Sequence, residues 1–513
     1  MIRLIKKLII FPFTFILLLN CNNPTTDELI KMGIEKCQLK DYNGAIEEYN
    51  YAIEINPKKF QAYFQRGNAK YFLELYRSSI ADFNKAIEIN PNYAEAYTFR
   101  GLSKSHLADF TYSDIMADHA KAIEINPKCI VVYLNRGLSK IINNNDYLGA
   151  IKDDSLAISI DPRNAEAFYR RGNARQHIKD FTRSIADYNK AIEINPNLSY
   201  FYYYRASAKR ANQAFEDALK DNNKFIVLEP NNALAYYDRG LTFEMLNNNQ
   251  SSIDDFTNSI QINPQYIEAY VHRGIAYSKQ YKYNAALEDY NKSIEINSEY
   301  SFAYFNRGLL YYEKKSLDSA ITDFSSAIYY NMAYIDAYYN RGLAYEEKHY
   351  NSYAIEDYTK VIELNPNYQN IYIKRADVKN HIQDFRGAID DYTKAMELNP
   401  KDYYIYFNIG MAKEAIKDYI GAIAEYTKAI EHGADYSSAY VDRAYALYMI
   451  HDYKGALSDY DKAIAISKNS FAYYQRGILK IQLGLKESGC LDLSKAGELG
   501  LSDAYNSIRQ YCH

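Results

Sequence analysis

Small, aromatic and charged positions recur along this chain at a fixed spacing, and that spacing predicts its secondary structure. A column of small residues runs through Gly33, Gly67, Gly101, Gly137, Gly172, Ala206, Gly240, Gly274, Gly308, Gly342, Ala376, Gly410, Ala444 and Gly477, in steps of 34 residues except for single steps of 36, 35 and 33. Four residues ahead of it stands an aromatic in every copy but the first, as in Tyr63, Phe168, Tyr338 and Tyr473; twelve residues after it small residues return, such as Ala45, Ser79, Ala286 and Ala354. A period of this length marks one supersecondary unit stacked on copies of itself. Within one copy, Ala337–Lys348 reads as a helix and Ser352–Leu364 as a second, joined by a turn around His349, Tyr350 and Asn351. Gly342 and Ala354 are small where the two helices touch, and Tyr338 and Tyr358 are expected to fill the space on either side.

Prolines mark the ends of the units. Nine of the eleven (Pro57, Pro91, Pro127, Pro162, Pro196, Pro230, Pro264, Pro366 and Pro400) close a copy, where a residue that cannot continue a helix stops the second one. Ser298, Met332, Ala434 and Lys468 stand there in four other copies, so those turns are expected to lack that constraint. The third copy has two extra residues near 108–113 and the fourth one extra near 143–146, both read as longer turns inside the hairpin. Asp154 and Asn222 replace the second-helix aromatic in the fourth and sixth copies, and Phe225 takes a normally small position, which marks these copies as weak points.

Period, glycine, aromatics and proline together resemble the tetratricopeptide repeat over roughly residues 26–500. The resemblance implies an all-α solenoid of about fourteen helix-turn-helix repeats that binds proteins or peptides along a concave groove lined by the first helices. Residues 501–513 then read as a C-terminal capping helix covering the apolar end that a solenoid leaves open. The residue after the first aromatic faces the groove in such arrays, which nominates Tyr169, Tyr203, Tyr237, Phe305, Tyr339 and Phe407, with Tyr474 at the end. Asn306, Asn340 and Asn408 (and Asn135) follow that position and have an amide able to pair with a peptide backbone in both directions. The same side chains are also ordinary packing residues in repeats of this kind. No copy has the lysine that follows the first aromatic in members gripping a free carboxylate tail.

Charge adds a second periodic feature. Arginine precedes the glycine column in twelve copies, from Arg66 to Arg476, and an acid recurs about sixteen residues later in all fourteen, as in Asp82, Asp187, Asp357 and Asp459. The expected role is a ladder of ion pairs, within or between copies; the other reading is a basic stripe for acidic ligands. Overall the chain has 60 basic and 64 acidic residues, which leaves no concentrated positive field for nucleic acid. Tyrosine is unusually abundant at 56, with no tryptophan, as suits a half-buried ring position used repeatedly.

The first twenty residues read as an export signal. Arg3, Lys6 and Lys7 precede an apolar run over Leu8–Leu19, too short to span a bilayer comfortably. The run ends at Leu18-Leu19-Asn20-Cys21, which resembles a bacterial lipobox and makes Cys21 the lipid acceptor, with residues 22–25 as a short tether; an ordinary cleaved signal or a retained anchor are the alternatives. Localisation at a cell envelope, periplasmic or on the surface, follows, with secretion as the alternative. Cys490 and Cys512 are centred on residue 501 and face each other across the last turn, as a disulfide in an exported protein or as two packed thiols. Cys37 and Cys129 are expected to be packed within the array.

The nine histidines are scattered, and no zinc-protease, phosphate-loop or nucleophile-elbow motif occurs. The sequence therefore predicts a non-catalytic scaffold without cofactor or metal. A structural envelope protein with no dedicated ligand, or an accessory subunit of an envelope enzyme, are the rival readings.

Overall fold

The computed structural model describes residues 24–368, 370–433 and 437–512. The segment expected to be an export signal, and Cys21, lie outside them. The described residues form 29 helices of 10 to 15 residues and no strand. Twenty-eight pair in chain order into fourteen hairpins, and the last, Ser502–Tyr511, follows as a separate helix. The hairpins divide evenly between two compact units, Met1–Ile262 and Asn263–His513. None of the described helices is long and apolar enough to cross a membrane.

The tenth copy shows how the columns build a hairpin. Its helices span Ile335–Glu347 and Asn351–Leu364. Tyr358 is fully buried and slides beneath Gly342, where a Cβ would sit 2.6 Å from the ring. Even alanine there would displace the ring or the helix, so the pairing of glycine with ring sets how closely the helices approach. Tyr338 packs against the same cluster from its side, beside Ala354, Tyr358 and Val361, as expected. It is half-buried, and its ring lies under the Arg341 guanidinium, 5.6 Å from its carbon. In other copies the hydroxyl at this position donates to the carbonyl of the preceding turn: Tyr133 to Pro127, Tyr202 to Pro196 and Tyr406 to Pro400, at 2.9, 3.0 and 3.0 Å. The first aromatic thus ties a hairpin to the turn that enters it.

The turns within hairpins use left-handed backbone at residues other than glycine, including Lys40, Lys179, Tyr281, His349, Lys417 and His451. Several second helices then start on an aspartate whose side chain accepts from the backbone N–H three residues on, as Asp41, Asp384 and Asp452 do. Turns between hairpins are held by asparagine as well as proline. Asn56 and Asn90 accept from the N–H two residues ahead, and so do Asn297 and Asn331, at 2.9 and 3.1 Å, where Ser298 and Met332 stand in place of proline. Those two turns are therefore constrained by a side-chain hydrogen bond, not left loose.

Insertions are absorbed in two different ways. In the third copy the first helix stops early, at Lys104, and the second opens at Tyr112 on a Thr111–Asp114 capping box, so the turn does lengthen. In the fourth copy the extra residue instead extends the first helix to 15 residues, Ile130–Asn144, and Asn145 supplies the left-handed turn. At the C-terminus, Cys490 and Cys512 form a disulfide with Cα atoms 5.8 Å apart, joining the last helix to the second helix of the final hairpin. Cys37 and Cys129 are free thiols, each partly buried.

Candidate functional site

Most of the charge that the sequence presents is used internally. Arg341 donates through Nε and Nη2 to both oxygens of Asp357, at 2.9 and 2.7 Å, within its own hairpin. Its remaining Nη1 reaches back to Ser325 of the preceding hairpin at 2.9 Å. The same fork recurs from Arg66 to Arg476, with Nη1 on Asn50, Asn84, Asn189, Asn291, Thr359 or Thr427 according to the copy. The ion pair is intra-repeat and the third donor is inter-repeat. In many copies a second cation four residues after the arginine completes the pair: Lys70 on Asp82, Lys209 on Asp221 and Lys379 on Asp391, at 2.7, 2.8 and 2.8 Å. Phe243, Tyr277, Tyr311, Tyr345 and Leu447 replace it in five copies, and in three of these burial lifts the Asp255, Asp289 and Asp357 carboxyls above their usual range. Arginines held in this way are not a basic stripe for acidic ligands.

The predicted groove residues sit on first helices and are half-buried. Each rests against the second-helix aromatic of its own hairpin or a ring of the next. Tyr169 meets Tyr188 and Phe201, with centroids 6.2 and 5.7 Å away. Tyr203 packs on Phe225 and Tyr237 on Phe256, at 5.8 and 5.7 Å. Phe305 touches Phe324 and Tyr334 at 5.9 and 4.8 Å, Tyr339 touches Tyr358 and Tyr368 at 6.1 and 5.3 Å, and Phe407 touches Tyr426 at 5.7 Å. One side of each ring is thus structural and part of its surface remains open. The asparagines are less available than expected. Asn306, Asn340 and Asn408 donate through Nδ2 to carbonyls four residues back in their own helices, at 2.7, 2.7 and 2.8 Å. Asn306 and Asn408 are also only 9% and 8% exposed, and one of the two N–H donors of each amide is already used. Tyr474 lies beside the terminal helix, its hydroxyl 3.2 Å from Ser507 Oγ.

Two features of these faces were not singled out in the sequence. In the second unit, acids lie beside the rings: Glu346, Asp377 and Glu414 accept from the hydroxyls of Tyr358, Tyr392 and Tyr426, at 2.7, 2.6 and 3.0 Å. Burial, with Glu414 adding to it, pushes Asp442 up to about 7. In the first unit, a pocket opens at Asp154 between the fourth and fifth copies. The acids have no common offset from the glycine column, and although Asp154 stood out as a substitution, whether it leaves a hole depends on the neighbours' packing. Among the described residues, no group of three or more His, Cys, Asp or Glu side chains could hold a metal ion.

Family comparison matches the tetratricopeptide repeat at residues 60–93, 165–198, 267–300, 335–368 and 403–431, and a related description, TPR repeat, at 33–73 and 308–348. Within the matched residues the repeats are tetratricopeptide repeats. Compared with curated proteins, the chain has no match. Among solved structures it is similar to MamA, at 24% identity over 33% of this chain and 92% of that one, with a TM-score of 0.31. It is also similar to YrrB, described as a TPR protein with an unusual peptide-binding site, at 20% identity over 36% and 95% of the two chains, TM-score 0.31. A chain of the APC/C hetero-tetramer Cut9-Hcn1 aligns over 86% of this chain and 94% of its own at 14% identity, TM-score 0.35.

Proposed function

We propose that this tetratricopeptide-repeat chain is a non-catalytic scaffold that holds protein or peptide segments along the first-helix faces of its two units, tethered at a bacterial cell envelope by a lipid on Cys21. Repeats of this family serve protein and peptide recognition. The observation that carries the reading is the row of half-buried rings, Tyr169, Tyr203, Tyr237, Phe305, Tyr339 and Phe407, fixed on one side by neighbouring rings and partly open on the other. Aromatics held rigidly in this way lose little conformational entropy on contact and are typical binding hot spots. The acids at Glu346, Asp377, Glu414 and Asp442 favour a partner segment rich in hydrogen-bond donors or basic residues in the second unit.

Because each ring also packs, truncation to alanine would open cavities costing about 3–5 kcal/mol each. Leucine substitutions at Tyr203, Tyr237, Tyr339 and Phe407 keep most of that packing while removing the aromatic surface. The combined variant should lose capture of the native partner and retain its helical spectrum; unchanged capture rejects the site. The tether is tested separately: Cys21→Ser should abolish acyl labelling in the host, and a wild-type protein that takes no label contradicts lipidation.

A further inference from the structure

At the position that lies beneath the glycine column, ten copies have a tyrosine or phenylalanine and the third has His119. The sixth copy lacks a ring there but compensates. Asn222 is bonded to Asp238 and Thr242, at 2.6 and 3.0 Å, and Phe225 is buried close by. The fourth copy does not compensate. Asp154 takes the place of the ring, and the gap remains as a pocket of about 220 Å³. Its floor is Asp154, on the second helix of the fourth copy. Its walls are Leu134, Leu138 and Ile141 from that copy's first helix, and Tyr169 and Arg170 from the next first helix. It therefore opens onto the face that holds the predicted aromatic row.

The polar groups of the pocket are unevenly satisfied. Glu166 accepts from Arg170 Nε at 2.7 Å and from the Tyr200 hydroxyl at 3.2 Å, and Arg170 Nη1 donates to the Leu134 carbonyl at 3.2 Å. Asp154 is 2% exposed, its Oδ1 lies 3.5 Å from where a Cβ on Gly137 would be, and among the described residues no donor to it is found. A buried carboxyl with no donor is costly, and burial pushes this one up to about 8 despite Arg170 nearby.

We propose that this pocket is the binding site for a long basic side chain, lysine or arginine, of a partner protein lying along the first-helix face. The aliphatic stem packs on Leu134, Leu138 and Ile141, and the cationic head donates to the Asp154 carboxylate, whose proton passes to solvent on binding. Charge favours this occupant, because each of the guanidiniums near Asp154, Arg170 and Arg171, already has a carboxylate of its own, Glu166 and Asp187. Size permits it: apolar cavities of about 150 Å³ hold a benzene-sized guest. The inference deepens the scaffold reading and rests on it for the source of the side chain.

The test uses the full chain with labelled Leu and Ile methyls and three probes: n-butylammonium, n-butylguanidinium and neutral 1-butanol. Saturable shifts of the Leu138 and Ile141 methyls are expected with both cations, at least tenfold tighter than with butanol. Asp154→Asn should remove that preference and leave butanol binding unchanged. Asp154→Phe should restore the ring and abolish binding of all three probes. Equal affinity for butanol and the cations, an unchanged preference in Asp154→Asn, or silence of these methyls with every probe would each overturn the proposal. If Asp154→Phe does not fold, Asp154→Asn still decides. A silent pocket beside intact partner capture sinks this inference alone, whereas cation binding in a chain that captures no partner sinks the scaffold reading and the side-chain source with it.

Discussion

Loss of one arginine should be far more damaging in some copies than in others. Arg341 is the single cation on Asp357, which is 4% exposed, because Tyr345 stands where other copies have a lysine. Arg341→Ala strands a buried carboxylate, and breaking such a pair by removing one partner costs about 3–5 kcal/mol. In the sixth copy Arg205→Ala leaves Lys209 2.8 Å from Asp221, so the charge stays neutralised and the loss should be nearer the ~1.5–3 kcal/mol of hydrogen bonds to a charged group. Both guanidinium carbons lie 5.6 Å from the first-helix ring, and Arg341 also lies 5.9 Å from Tyr345, a contact whose loss adds to the difference between the two copies. Repeat arrays open locally, so the assay is native-state amide hydrogen exchange in the two second helices, Asn351–Leu364 and Phe215–Leu228. Exchange in Arg341→Ala should accelerate by about two to three and a half orders of magnitude, and clearly less in Arg205→Ala. The double variant Arg341→Met, Asp357→Leu should recover most of the loss, because apolar replacement of a buried pair is close to neutral. Equal losses in the two copies, or a loss below about 1 kcal/mol at Arg341, would refute the single-cation reasoning.

Three further outcomes follow from particular side chains. Asp154 has a folded pKa near 8 against an ordinary 3.8, so it costs stability progressively as pH rises from 4 to 8; in Asp154→Asn, exchange protection of Tyr147–Ile160 should lose that slope, and an unchanged slope contradicts the assignment. His119 has the opposite sign: burial holds it neutral down to about 4, so stability falls as pH drops from 6.5 towards 4, by about 3 kcal/mol, and His119→Phe should abolish that fall when followed by exchange in Tyr112–Ile125. Replacing Cys490 and Cys512 together by serine removes a crosslink between residues 22 apart in sequence; about 3 kcal/mol of protection should vanish from Ser502–Tyr511 and none from the first unit, which exchange measures directly.

The period made the hairpins legible because a small residue meets a ring in ten of the fourteen copies: a Cβ on Gly342, for one, has no room above Tyr358, so both columns show in the sequence. Proline showed where second helices end, but asparagine's share in the same turns was missed, because Asn297 and Asn331 matter through a hydrogen bond and not through a break in propensity. Many of the left-handed residues, Lys40, Lys179 and Tyr281 among them, are of types that rarely adopt that backbone, so local preference gave no sign of them. Pairing of Arg341 with Asp357 followed from their offset, whereas the third donor to Ser325 depends on how successive hairpins stagger. At the candidate site, the ring positions were readable but their double use was not, since burial of one side of Tyr339 is set by Tyr368 in the following copy. Asp154 and Asn222 look alike as substitutions; only the packing separates a filled site from an open pocket.

Site-specific photo-crosslinking in the native host tests the central claim most directly. A photoreactive residue is placed at Tyr203 or Tyr339, on first helices, and in parallel at Tyr329 or Tyr353, exposed positions on second helices at 73% and 56% accessibility. Scaffolding along the first-helix faces predicts discrete partner adducts from Tyr203 and Tyr339 and none from Tyr329 and Tyr353. Adducts from the second-helix positions alone, or equally from all four, would contradict it.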